Sequence, residues 1–252
     1  MVESFGSHSA HEGYEGSSGG CDWLFELYTF RMNETVHSSR KPPKRTNDPE
    51  RTMAGIIAVA TAEFAAKGLA GGRIDAIADA THTSKRMIYY YYGSKEGLYL
   101  AVLEDAYRRI RATEAELHLA DLSPVEALKA LVGFTFDHHH SNQDFIRLVM
   151  NENIERGAYL AQSKLIQELN VSAIQSIEEL YKRGVKAGVF RKGLDPIDIH
   201  ASISALTFFN VSNRYTFDLI FKRNGQTAKA LAARRQSVVD MVLRFVSYSN
   251  LS

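Results

Sequence analysis

The sequence has a single cysteine, Cys21, in 252 residues. One thiol closes no internal disulfide and builds no cysteine-rich metal site, which suits a reducing cytosol. Proline is scarce, and all five sit in one short basic stretch or at expected helix starts. Neither sign of charge dominates: 30 Lys and Arg stand against 29 Asp and Glu, for a net charge of +1. The whole chain is therefore not a polybasic nucleic-acid binder, and any affinity for phosphate must come from local clustering. Long apolar runs are missing too; the longest fall far short of the ~20 residues of a membrane span. The start is polar and acidic, and Trp23-Leu24-Phe25 is interrupted at once by Glu26, so no signal peptide is expected. These absences predict a cytoplasmic protein with no membrane partner.

Catalytic signatures are also lacking. No Walker loop, H-E-x-x-H or paired-cysteine pattern occurs. The run His138-His139-His140 invites a metal reading, but consecutive helical positions point about 100° apart and cannot chelate one ion. The expectation is a protein that is not an enzyme, with no cofactor and no metal. Glu152 and Glu155 stand at helical spacing from Arg147 and Arg156 and read as weak surface ion pairs.

What is present falls into two parts. Residues 1–47 form a polar extension rich in Ser, Gly, His and Glu, too poor in apolar side chains to offset its ordering entropy, and so expected to be disordered. Met32 within it offers an alternative translation start. The extension ends in a basic arm, Arg40-Lys41-Pro42-Pro43-Lys44-Arg45, either a solvated linker or an arm for a minor groove. From Asp48 the pattern is helical throughout, and strand signals are almost absent. Asp48 with Pro49, Ser123 with Pro124 and Asp195 with Pro196 are cap-then-proline helix starts. The periodicity predicts helices over 49–67, 74–80, from Ser84, 95–117, 125–140, 143–156, 159–187, 195–222 and 227–248. An all-α fold follows.

The segment 72–91 carries the most information. Ile74, Ile77 and Ala78 give a short helix one apolar face, and Thr81-His82-Thr83 makes a tight turn. Ser84 then caps a second helix whose first turn carries Lys85 and Arg86 outward. A helix presented this way can enter a major groove N-terminus first. Ile88 and Tyr92, four apart, face the core; Tyr89 and Tyr90 flank that face and can offer rings to sugars and hydroxyls to phosphates. A plain core hairpin would not place two basic residues and four successive tyrosines on adjoining faces of one short helix.

The run Ile77-Ala78, Thr83-Ser84-Lys85, Ile88-Tyr89, Tyr91-Tyr92 and Ser94-Lys95-Glu96-Gly97-Leu98 resembles the helix-turn-helix of the TetR family, over about residues 49–109. Phe145 through Asn153, with 73–78 and 86–89, is similar to the subgroup containing the pyrimidine-responsive regulator RutR. The resemblance implies a three-helix DNA-binding domain over 48–109 and a larger helical ligand-binding and dimerisation domain over 110–252. Carried over residue by residue, it implies DNA contacts from Thr83, Ser84, Lys85, Arg86, Tyr89, Tyr90 and Lys95. Two departures stand out. Thr81-His82-Thr83 replaces the family's Ala-Gly-Val turn, which asks His82 to adopt a left-handed backbone. Tyr90 and Tyr92 stand where the family usually has His or Phe.

In the body, 195–212 and 229–247 are apolar over wide arcs and are the expected homodimer surface, giving two heads for a palindromic DNA operator. A cavity for an unknown small-molecule effector is expected among 125–187 and 195–220, with Phe134, His138, Phe145, Met150, Asn151, Tyr159 and Asn170 as candidate lining residues. The function expected is a ligand-released transcriptional repressor. The alternatives are a DNA-binding regulator without a sensor, and a helical carrier or enzyme that has lost DNA binding.

Overall fold

The computed structural model describes residues 48–247, so the extension, its basic arm and Met32 lie outside the described residues. Among the described residues ten α-helices follow one another: α1 Pro49–Gly71, α2 Ile74–Ala80, α3 Lys85–Tyr92, α4 Lys95–Ala115, α5 Pro124–Ser141, α6 Gln143–Ile154, α7 Lys164–Lys186, α8 Pro196–Ser212, α9 Arg214–Ile220 and α10 Ala228–Val246. No strand occurs among the described residues.

The helix starts follow from local chemistry. Asp48 Oδ1 accepts from the Arg51 N–H at 3.1 Å, Ser123 Oγ from that of Glu126 and Asp195 Oδ1 from that of Ile197, each ahead of a proline with no N–H to satisfy. Gly68 takes a positive φ of 67°, kinking α1 where a stop is expected, but the helix runs on to Gly71. The predicted helix 195–222 is two, because Asn213 leaves the helical region between α8 and α9. The predicted start of α7 at 159 is too early. Residues 160–162 form a 3₁₀ turn, and Ser163 caps the helix.

Two buried clusters organise the packing. The first joins Ile56, Ala60 and Phe64 of α1 to Ile77 of α2, Ile88 of α3 and Leu98, Val102 and Leu103 of α4. Leu148 of α6 and Ile166 of α7 reach into it from the other side. α1 is long and apolar enough to cross a membrane by length and composition alone. Its largest apolar side chains are instead the centre of this protein core. The second cluster surrounds α5, with Leu128, Leu131, Val132 and Phe136 against Ile177 and Leu180 of α7, Ile199 and Ile203 of α8, and Val238, Val239 and Val242 of α10.

Candidate functional site

The N-terminus of α3 is set up by the turn before it. His82 takes φ 51°, the left-handed backbone expected there, and the Thr83 N–H donates to the Ala78 carbonyl at 3.0 Å. Ser84 sits in extended backbone, and its hydroxyl accepts from the Met87 N–H at 3.2 Å. Ile88, fully buried, pins α3 against the head core. Tyr92 is half-buried and its hydroxyl donates to the Met53 carbonyl of α1 at 3.1 Å. With that face fixed, Ser84, Lys85, Arg86, Tyr89 and Tyr90 are all exposed on the others, Tyr90 at 77%. Thr83 is half-buried.

Charge on this surface is arranged locally. Lys85 Nζ lies 3.2 Å from Asp75 Oδ1, and Arg73 also bonds Asp75. These hydrogen bonds, Lys85 first, hold the Asp75 carboxyl below its ordinary range. Lys95, the seventh candidate DNA residue, is half-buried at the start of α4, where Ser94 caps the helix; its Nζ donates to the Ala70 carbonyl at 3.3 Å. In this structure Lys95 thus ties α4 to the end of α1. Gly97 is required here, since a Cβ would run into the Tyr92 carbonyl oxygen.

The body contains a cavity of about 220 Å³ among α4, α5, α6, α7 and α8. Aromatic and aliphatic walls come from Tyr107, Ile110, Leu131, Phe145, Ile177, Ile203 and Phe208. Its polar groups are Arg111, Glu114, Thr135, His139, Asn170, His200 and Ser204. Arg111 Nη1 pairs with Glu114 Oε2 at 2.8 Å, with both side chains largely buried. Arg111 Nε and His139 Nδ1 are buried with no hydrogen-bond partner. Burial, then the charge of His138 and Arg111, pushes the His139 pKa down to about 4. Burial and then Arg111 push His138 down to about 4 and His200 below its ordinary value. Burial raises the Glu114 carboxyl, against the pull of Arg111.

Of the candidate lining residues, Phe145 and Asn170 line this cavity. His138 and Phe145 line a neighbouring cleft open to the side, and Phe134 packs on His138 at 5.7 Å. Met150 and Asn151 lie in a third cleft, between the end of α1, α6 and the start of α9. Tyr159 stacks edge-on against Tyr99 at 5.3 Å, beneath the head. Tyr107, Arg111 and Glu114 belong to α4, outside the expected 125–187 and 195–220. Their spacing of four and three on one helix, beside apolar Ile110, is the signal that could have found them.

The ion-pair reading of α6 is overturned. Arg147 Nε donates to the Ala65 carbonyl at 2.7 Å and its Nη2 to that of Ala66 at 3.1 Å. Asn151 Nδ2 donates to the Phe64 carbonyl at 3.2 Å. Together they satisfy carbonyls ahead of the Gly68 kink, where the regular helical pattern is interrupted. Glu152 is buried, and its carboxylate accepts from the Tyr159 and Leu160 N–H groups at 3.2 and 2.9 Å.

Comparison with known proteins agrees with this geometry. Residues 56–102 match the family described as bacterial regulatory proteins, tetR family, and residues 124–242 match the tetracyclin repressor-like C-terminal domain. Over 206 residues the chain is 31% identical to the HTH-type transcriptional repressor NicS of Pseudomonas putida, covering 82% of this chain and 97% of that one. The chain belongs to the TetR family. Another relative is the HTH-type transcriptional regulator RutR of Escherichia coli O157:H7, 29% identical over 155 residues, 62% of this chain and 70% of that one. Among solved structures, the putative transcriptional regulator SCO4942 from Streptomyces coelicolor superposes with a TM-score of 0.58 at 27% identity, covering 77% of this chain and 98% of that one. This TetR-family protein is a DNA-binding transcriptional regulator.

Proposed function

We propose that the protein is a cytoplasmic, homodimeric repressor, without enzymatic activity, that leaves a palindromic operator when a small molecule fills the cavity between α4 and α8. The observation that carries this reading is the exposed N-terminal face of α3. Ser84, Lys85, Arg86, Tyr89 and Tyr90 are exposed there, while buried Ile88 holds the helix beneath them. Rigid presentation lowers the ordering cost of binding. Thr83 and Lys95 complete the contacts at the two ends of α3, and Lys95 reaches phosphate by giving up the Ala70 carbonyl.

The body supplies the second copy. α8 turns Ile199, Ile203, Thr207 and Val211 inward, and leaves Ile197, Ala201, Ala205 and Phe209 exposed along its other side. α10 likewise exposes Ala233, Ser237 and Met241. Small residues interleaved with large ones on both helices allow close helix pairing across a two-fold axis. Tyr215, Leu219, Ile220 and Phe221 extend the exposed apolar surface past residue 212, and a patch of this size favours a covered state.

The cavity and the head meet through α6. Phe145 and Val149 face the cavity, and Arg147 and Asn151 of the same helix hold the α1 carbonyls. An effector that displaces α6 therefore moves α1, and with it the spacing of the two heads. The test is a DNA-binding titration of Lys85→Ala and Tyr89→Ala. Each is expected to lose specific binding at least 10-fold, with its dimer and helical content unchanged. Wild-type affinity in both variants would refute the role given to α3.

A further inference from the structure

The cavity between α4 and α8 carries information about the chemistry of what fills it. Arg111 is always charged and cannot shed its proton. Among the described residues only Nη1 of its guanidinium is engaged, by Glu114. The Nε edge is buried and unpaired, an expensive arrangement for a cationic donor. His139, 5% exposed, brings a second unpaired nitrogen to the same space. Nothing else in the wall is charged, since Glu114 is already spent on Arg111 and the histidines are held neutral. The site therefore has one vacant, planar, cationic edge on Arg111, while its one carboxylate, Glu114, is already paired through Oε2.

The remaining walls are flat or apolar. Phe145 lies parallel to His139, with centroids 6.1 Å apart and planes at 23°. Phe208 meets His139 edge-on at 6.0 Å, and Tyr107 meets Phe145 edge-on at 5.4 Å. Rings disposed this way offer faces and edges to another ring. A cavity of about 150 Å³ is enough for benzene. The volume of about 220 Å³ here leaves room for a single ring with a small substituent, and not for a nucleotide or a long acyl chain.

We propose that the cavity binds a compact aromatic monocarboxylate, its carboxylate on the Nε edge of Arg111, its ring against Phe145 and Phe208, and His139 within hydrogen-bond reach. This deepens the sensor reading above and rests on it. A monoanion matches the single free edge of one guanidinium, whereas a phosphate dianion would bring a second charge with no partner. The positive potential that Arg111 imposes on His138, His139 and His200 is relieved by the same anion.

The test uses the full-length protein with benzoate, its neutral isostere benzamide, phenylacetate, and hexanoate as a flexible carboxylate, read by calorimetry and thermal shift. Benzoate or phenylacetate is expected to bind and raise the melting temperature, with benzamide and hexanoate at least 10-fold weaker. Arg111→Gln is expected to weaken the aromatic acids at least 30-fold. Ser204→Leu, which keeps Arg111 and fills the cavity, is expected to abolish binding. Both variants are first shown by circular dichroism to keep the wild-type helical content and a cooperative melt, which establishes that they fold. Equal binding of benzamide, undiminished binding by Arg111→Gln, or no binding of either aromatic acid at about 10 mM overturns the proposal. Aromatic-acid binding that leaves DNA affinity unchanged refutes the sensor reading and keeps the occupant. DNA binding without aromatic-acid binding does the reverse.

Discussion

Replacing His139 by Phe should change how the protein responds to acid, by an amount the structure fixes. His139 is buried beside Phe145 and Phe208 with Arg111 nearby, and its pKa falls from 6.5 to about 4. In the unfolded chain it titrates near 6.5. As pH falls below that value, the unfolded state takes up a proton that the folded state refuses. Stability is therefore complete above pH 6.5, falls between 6.5 and 4, and levels off below 4. The full difference is roughly 3 kcal/mol, of which about 2 kcal/mol is lost between pH 7.5 and 5. His138 and His200 act in the same direction. Glu114 acts oppositely: its raised pKa means the folded state protonates first, so it resists acid. The assay is urea unfolding at pH 7.5, 6, 5.5 and 5, at one protein concentration, since a dimer's stability depends on it. The wild type should lose about 2 kcal/mol more than His139→Phe over that range. Parallel curves for the two proteins would refute the burial of a neutral imidazole at this position.

Three further outcomes are expected. Gly184→Ala places a methyl group against the ring of buried Phe190, which has nowhere to go, and should cost about 1–3 kcal/mol in urea melts, without touching DNA affinity at temperatures where the protein is folded. Phe209→Glu introduces a charge on the exposed side of α8, and should shift the protein from dimer to monomer by analytical ultracentrifugation; an unchanged sedimentation coefficient would remove α8 from the interface. Arg147→Ala deletes two hydrogen bonds to α1 carbonyls; it should cost about 1–2 kcal/mol and reduce effector-driven release of DNA more than it reduces DNA affinity itself, as measured by anisotropy with and without ligand.

What could be read in advance depended on how far apart the cooperating residues lie. The caps at Asp48, Ser123 and Asp195, and the left-handed turn at His82, involve partners within a few residues, so the sequence displays them whole. The same holds for α3, where Ser84, Ile88 and Tyr92 assign the faces by spacing alone. Arg147 and Asn151 were misjudged because their partners are backbone carbonyls more than 80 residues away, which leave no trace in local pattern. The late start of α7 has a similar cause: buried Glu152 captures the Tyr159 and Leu160 N–H groups and shapes the turn from another helix. The break at Asn213 has neither glycine nor proline to announce it. The cavity lies on the expected helices and also on α4, whose Arg111 and Glu114 resemble an ordinary exposed i, i+3 ion pair until the fold buries them.

The most direct measurement is binding of the purified wild-type protein to the DNA flanking its own gene, at about 50 and 200 mM salt with excess competitor DNA. The account predicts a discrete, competitor-resistant complex with a two-fold symmetric footprint, and an affinity that falls steeply with salt. Lys85→Ala should lower that salt slope by about 1 for each head. Binding no tighter than to random DNA, or a slope unchanged by Lys85→Ala, would contradict the assignment of α3 as the element that reads DNA.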